Sequence, residues 1–227
     1  MGKDRCWEDR PMTDPLPRLI DGPAVAPATL LLAHGAGAPM DSPFMAVIAT
    51  GLAERGWRVV RFEFPYMAQS RLSGQRRAPD RLPRLLDAFR EQVALEAEAA
   101  ADRPLFIGGK SMGGRVASLL VDQLPGVRGC LCLGYPFHPP GRPEQLRTEH
   151  LAALRSPTLI LQGERDSFGK RGEVERYSLS PAIALQWISA GDHSFKPTRS
   201  SGHTEAGNWQ AAVEACDQFM RGQLNAP

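Results

Sequence analysis

Ser111 lies in the stretch Phe106 to Ala117, "FIGGKSMGGRVA", and two chemistries compete for it. Gly109-Lys110-Ser111 looks like the close of a phosphate-binding loop, whereas Gly109 to Gly113 spells G-x-S-x-G, the turn that presents a nucleophilic serine. The phosphate loop needs a glycine five residues before Gly109, because its backbone N–H groups curl around phosphate oxygens. That position is Pro104, which has no N–H and does not curl that way. The apolar run Pro104 to Ile107 reads as a strand entering the turn directly. The nucleophile reading therefore stands and the nucleotide reading weakens.

A serine hydroxyl is a poor nucleophile until an imidazole takes its proton, and the imidazole needs a carboxylate to fix its tautomer and stabilise the cation that forms. "LILQGERDSFG" offers Asp166, with Glu164 as a competitor nearer the strand end. "GDHSF" offers His193, with Asp192 beside it, from where a carboxylate would reach back awkwardly to its neighbour's ring. His203, in a Ser/Gly-rich stretch, and His138, in the rigid turn "FHPPG", are the other histidines to weigh, and His138 could line a pocket. Ser111 itself has a plainer reading as a helix N-cap. Its glycine frame and full set of partners favour the nucleophile.

Acyl transfer also needs donors for an oxyanion. The backbone N–H of Met112, directly after the serine at a helix N-terminus, is one candidate. The N–H of Ala36, in the "HGAG" loop, is the other, and His34 in that loop reads as a residue that holds the turn. Gly109 and Gly113 leave room for a tight strand-to-helix turn. Lys110 is given no role by the motif. Pairing with a carboxylate under the loop and exit through a polar channel both remain open. Arg71, Arg76, Arg77, Arg81 and Arg84 crowd the run "QSRLSGQRRAPDRLPRLL". A solvated surface is the plain reading. The sharper one has Arg76 or Arg77 orienting an acidic substrate.

These residues must be positioned by elements. Strand-like runs "TLLLAH", "WRVVRFEF", "PLFIGG", "GCLCLGY", "PTLILQG" and "ALQWISAG" alternate with helix-like segments at Pro43 to Arg55, Asp80 to Ala101, Gly114 to Gln123, Pro143 to Leu154, Gly172 to Tyr177 and Ala206 to Arg221. Near-continuous apolar strands between amphipathic helices predict an α/β fold, a doubly wound, mostly parallel sheet with helices on both faces. Ligands then bind outside the carboxyl ends of the strands, where Ser111, Asp166 and His193 all fall. Their chain order, Ser, Asp, His, is that of an α/β-hydrolase. The connection between "GCLCLGY" and "PTLILQG" is only about twenty residues, too short for a large cap domain.

The whole chain narrows the classes further. Its 227 residues, 42% of them hydrophobic, suit a single domain over residues 29–227 after a proline-rich, irregular lead-in over residues 1–28 that carries one short strand at Arg18 to Ile20. A formal charge of +2 argues against bulk attraction to nucleic acid or membrane. Met1 to Arg10 has no apolar signal region and no run approaches the ~20 residues that span a bilayer, so a soluble, cytoplasmic protein is expected. Four cysteines, Cys6, Cys130, Cys132 and Cys216, form no C-x-x-C pair and no zinc spacing. No metal and no cofactor are called for. Cys130 and Cys132 read as small buried hydrophobes on one strand face.

"LLAHGAGAPMDSPFM", "GGKSMGGRVA", "LGYPFHPPG", "LILQGERDSFG" and "GDHSF" together resemble the small α/β-hydrolase family that includes the hydrolase-like domain of a subunit of the NSL histone-acetyltransferase complex and its short, single-domain bacterial relatives. The resemblance runs from about Thr29 to the final helix and implies Ser111 as nucleophile, Asp166 as acid and His193 as base. A broader similarity to dienelactone hydrolases differs at the nucleophile, which is normally cysteine there and is Ser111 here. The expectation is a serine hydrolase acting on an ester or thioester of a small acyl compound. The alternative is an interaction module that keeps the fold without catalysis.

Overall fold

The computed structural model describes residues 16–99 and 103–225. Cys6, the first part of the lead-in and the last two residues of the helix expected to end at Ala101 lie outside the described residues. Seven strands form one sheet: β1 (Arg18–Asp21), β2 (Thr29–Ala33), β3 (Arg58–Phe62), β4 (Leu105–Lys110), β5 (Val127–Leu133), β6 (Thr158–Gly163) and β7 (Ile183–Ile188), in the order β1-β3-β2-β4-β5-β6-β7. All neighbours are parallel except β1, which runs antiparallel along β3 with Leu19 opposite Arg61. The fold is the doubly wound α/β sheet expected from the sequence, with no large cap.

Strand alternation sorts the core into two layers. Leu31, Ala33, Ile107, Cys130, Cys132 and Ile160 face the layer that also buries Phe89 of α3 (Leu82–Ala99) and Val116 of α4 (Met112–Leu120). Leu30, Leu32, Phe106, Leu131 and Leu159 face the opposite layer, with Ile48 of α1 (Pro43–Ala53) and Val213 of α7 (Glu205–Asn225). Both faces of the central strands are dry, which is why they read as unbroken apolar runs.

Three elements differ from expectation. A helix α2 (Pro65–Ser73) follows β3 directly, where the arginine run read as a loop. It starts on a proline, whose fixed φ suits a first helical position, and ends on Gly74 in the left-handed region at φ 67°. The helix expected from Pro143 to Leu154 shrinks to one turn, α5 (Glu149–Ala152), because the backbone before it bonds elsewhere: the Gln145 N–H donates to the Arg142 carbonyl in a turn and the Arg147 N–H to the Phe137 carbonyl at 2.8 Å. The segment after Asp166 holds one further turn, α6 (Arg171–Val174). Arg61, in the middle of the edge pair, is buried and satisfied by Asp21 of β1 and the Met40 carbonyl.

Candidate active site

The carboxyl ends of β2, β4, β5, β6 and β7 gather the candidate residues. Gly109, near the end of β4, lies opposite Ala33 of β2 and Cys132 of β5, so Ser111 emerges from the middle of the sheet. The turn is sharp. Ser111 adopts φ 51° and ψ −113°, a left-handed backbone that costs a non-glycine residue energy and is kept only where surroundings enforce it. Its neighbours explain how. A Cβ on Gly113 would lie 2.6 Å from the Ala33 carbonyl oxygen, and one on Gly109 would lie 2.6 Å from the Gly113 carbonyl carbon. Ser111 makes no side-chain cap on α4, so the N-cap reading is not used.

Its hydroxyl instead meets His193. Ser111 Oγ is 2.8 Å from His193 Nε2, and His193 Nδ1 is 2.7 Å from Asp166 Oδ2. With Nδ1–H donating to the carboxylate, Nε2 is left to accept from the serine, the arrangement in which an imidazole can take the hydroxyl proton. Burial pushes the imidazole below its ordinary pKa, opposed by the hydrogen bond to Asp166 and reinforced by the charge of Lys110. The ring is thus neutral at neutral pH.

Asp166 is fully buried, yet its oxygens are fixed from three directions. Oδ1 accepts from the Phe168 N–H at 2.9 Å, and Oδ2 accepts from Gln162 Nε2 at 2.9 Å as well as from the imidazole. Gln162, buried near the end of β6, also accepts from the Tyr135 N–H at 2.7 Å, so one amide ties the β5 and β6 loops to the carboxylate. Phe168 stacks on the His193 ring at 4.2 Å between centroids. Sequence reasoning missed both. Gln162 had a signal, a lone polar residue inside an apolar strand four positions before Asp166; Phe168 had none.

The competitors are turned elsewhere. Asp192 Oδ1 accepts from the Ser194 and Lys196 N–H groups, closing its own turn. Glu164 holds the Ala190 N–H and Arg171. His138 is buried with Nδ1 2.8 Å from the Pro139 carbonyl, and His203 is exposed.

The "HGAG" loop is braced rather than reactive. His34 Nε2 accepts from the Phe64 N–H at 3.1 Å, which leaves Nδ1–H to donate to the Gly35 carbonyl at 2.6 Å. Burial lowers its pKa, so it stays a neutral strut between β2 and β3. The Tyr66 hydroxyl donates to the Ala36 carbonyl at 3.1 Å. Gly35 packs against the serine, since a Cβ there would lie 3.6 Å from Ser111 Cβ. Ala36 follows Gly35 in that loop, and Met112 begins α4 directly after Ser111.

Ala36 also opens a cleft of about 450 Å³ lined by Gly37, Met67, Arg71, Arg76 and Arg77 among others, but by neither Ser111 nor His193. The cleft shares Ala36 with the loop that packs on the serine. The arginine run divides there. Arg71 is engaged by the fully buried Glu63 at 2.6 Å and by Asp41 at 2.9 Å, and Arg84 by Asp80 at 3.5 Å. Arg76 and Arg77 stand on the cleft wall. Among the described residues no group of three or more His, Cys, Asp or Glu side chains is gathered as for a metal ion.

Residues 26–221 match the family described as the alpha/beta hydrolase domain. The chain belongs to that family. Solved structures with the same fold include an α/β serine hydrolase without lid from Xanthomonas campestris, 20% identical over 92% of this chain and 90% of that one, with a TM-score of 0.70. A dienelactone hydrolase from Anabaena variabilis is 18% identical over 90% of each chain at a TM-score of 0.68. Est1E from Butyrivibrio proteoclasticus, solved with ferulic acid bound, is 16% identical over 93% of this chain and 96% of that one at a TM-score of 0.67. This member of the α/β-hydrolase domain family shares their architecture, and among its described residues no helix is long and apolar enough to cross a membrane.

Proposed function

We propose that this α/β-hydrolase is a serine hydrolase that cleaves an ester or thioester of a small acyl compound through an acyl-enzyme on Ser111. The observation that carries the reading is the unbroken chain of hydrogen bonds from Ser111 Oγ through His193 to Asp166, at 2.8 and 2.7 Å. In this reading His193 Nε2 takes the hydroxyl proton as Oγ attacks the carbonyl, and Asp166 stabilises the imidazolium without taking its proton. The developing oxyanion is held by the N–H groups of Met112 and Ala36, the first with the favourable dipole of α4. The imidazolium then protonates the leaving group, and the same nitrogen deprotonates the water that releases the acid. No step calls for a metal or an organic cofactor.

The narrower kinship, with the small hydrolases related to the NSL-complex subunit, belongs to this proposal and rests on the quoted motifs. So does the role of the arginines: in this reading Arg76 and Arg77, which line the cleft that Ala36 also lines, take a carboxylate on the substrate. A fluorophosphonate probe tests the central residue. Wild type should be labelled on Ser111, and Ser111→Ala should lose both labelling and esterase turnover by at least ~10³-fold while remaining folded, since such residues act as a unit. Equal labelling of the two proteins moves the nucleophile to a residue other than Ser111, whereas a wild type that neither labels nor turns over an ester leaves a non-catalytic module as the better reading.

A further inference from the structure

Lys110, the residue immediately before the candidate nucleophile, is buried to 8% exposure, yet it is not paired with any carboxylate in the way the sequence left open. Its Nζ donates to the backbone carbonyl of His193, and the aromatic rings of Phe44 and Phe195 lie 5.4 and 5.9 Å from it. The space for this contact comes from Gly134, at φ 66°: a Cβ there would lie 2.8 Å from Lys110 Nζ and 2.9 Å from the His193 carbonyl oxygen. A buried ammonium is costly. An ammonium has three N–H donors, and the directed bond this one makes goes to the loop that carries the imidazole.

That loop is also held from two other sides: the β6 loop reaches it through Glu164, which accepts from the Ala190 N–H, and through Arg165, which donates to the Gly191 and Ala190 carbonyls, and α7 reaches it from behind. Asn208 Nδ2 of α7 donates to the Ser189 and Phe195 carbonyls, and Trp209 Nε1 donates to the Ser194 carbonyl. Phe195 is itself strained, at φ 66° and fully buried. Helix α7 fixes the back of the loop; nothing from α7 reaches His193 itself. Lys110 adds a tie from the β4 end, made to the backbone of His193 itself by the residue directly before Ser111. We propose that Lys110 is a positioning residue, which ties the His193 loop to the strand end carrying Ser111 and whose ammonium opposes a second positive charge on the imidazole.

The charged groups facing His193 are Asp166 from the β6 loop, Asp192 from its own turn and Lys110 from β4. The residues that α1 and α7 bring to Lys110 and to the rest of the loop, Phe44, Asn208 and Trp209, are uncharged. The two carboxylates favour a protonated ring and Lys110 disfavours it, in accord with the lowered pKa of the imidazole. Burial likewise pulls the Lys110 ammonium down to about 8, with Asp166 and Asp192 holding it up. Removing the charge must therefore move the His193 midpoint upward, whereas removing only the hydrogen bond would misplace the ring.

The catalytic half of this inference rests on the serine-hydrolase reading; the electrostatic half does not. Lys110→Met removes bond and charge, and Lys110→Gln keeps a donor for the His193 carbonyl without the charge. Histidine NMR titration of the free protein reads the charge effect without any substrate. Both variants should titrate His193 at least about half a unit higher than wild type. Fluorophosphonate labelling at neutral pH reads the positioning. It should slow by ~10-fold or more in Lys110→Met, since a small misplacement of a reacting group is expensive, and recover to within about threefold of wild type in Lys110→Gln. Lys110→Met should also melt within a few degrees of wild type, because the cost of burying the ammonium disappears along with its bond. If Lys110→Met fails to fold, Lys110→Gln carries the titration alone. An unchanged His193 midpoint in the folded variants, or Lys110→Gln labelling no faster than Lys110→Met, overturns the proposal. Failure of wild type to label at all would instead count against the Ser111 reading, with the titration still deciding the charge effect.

Discussion

At the scale of single residues, the account turns on which carboxylate serves the imidazole. Asp166 is buried and offers Oδ2 to the ring at 2.7 Å, while Asp192 spends Oδ1 on the backbone of its own turn. Asp166→Asn should therefore lower kcat by roughly 10⁴-fold, because an amide can donate to Nδ1 and leave the proton on the wrong nitrogen. Asp192→Asn keeps an acceptor oxygen for the Ser194 and Lys196 N–H groups and should cost far less, within about tenfold. Steady-state kinetics of the two variants on one neutral ester check this, and the reverse ranking would reassign the acid. Ser111, Asp166 and His193 were legible because their types are rare in that order after apolar runs. The amide of Gln162 and the ring of Phe168 were not, because what they touch depends on how two loops meet, and no spacing along the chain encodes that.

At the scale of elements, the proposed substrate preference rests on the connection from β3 to α3. The sequence showed a run of arginines but not that Pro65–Ser73 would coil into a helix, since its nine residues carry no clear apolar stripe. Coiling turns Arg71 back onto Glu63 and Asp41, and leaves Arg76 and Arg77 beyond the helix end, on the cleft wall. The reading that makes them substrate-binding expects short esters with a free carboxylate to be turned over better than neutral isosteres. One partly desolvated guanidinium–carboxylate contact contributes ~1.5–3 kcal/mol, or about ten- to a hundredfold in kcat/KM. The preference should shrink as salt rises. Measured on wild type and on the Arg76→Ala/Arg77→Ala double variant, an unchanged ratio of the two ester types would make the pair mere surface. By contrast the strands were plain from sequence, because a sheet covered on both faces admits apolar residues at nearly every position. Helix α5 was overcalled because the Arg147 N–H bonds the Phe137 carbonyl ten residues back, a contact that no spacing along the chain encodes.

At the scale of the whole molecule, the two core layers meet across one sheet, so a single cooperative melting transition is expected. Its dependence on pH has a definite sign. His34, His150 and His193 are all held below the ordinary imidazole pKa, His150 down to about 4 by burial and the nearby Arg115. The unfolded chain takes up protons at these rings near pH 6.5 and the folded one only lower, so stability is full above about pH 6.5 and is lost as pH falls toward 4. Calorimetry should show Tm dropping across that interval, and His150→Gln, which can keep the bond to Ser118, should flatten the drop. A Tm that is flat from pH 7 to 4.5 would contradict the burial of these rings.

The central claim is that Ser111 becomes acylated, and it is tested most directly by rapid mixing of the protein with an activated ester such as a p-nitrophenyl acyl ester. The account predicts a burst of about one equivalent of p-nitrophenol per chain, ahead of slower turnover, with the acyl mass found on the peptide that contains Ser111. Ser111→Ala should show neither burst nor adduct. An adduct on another residue, or ester cleavage by Ser111→Ala at the wild-type rate, would contradict it.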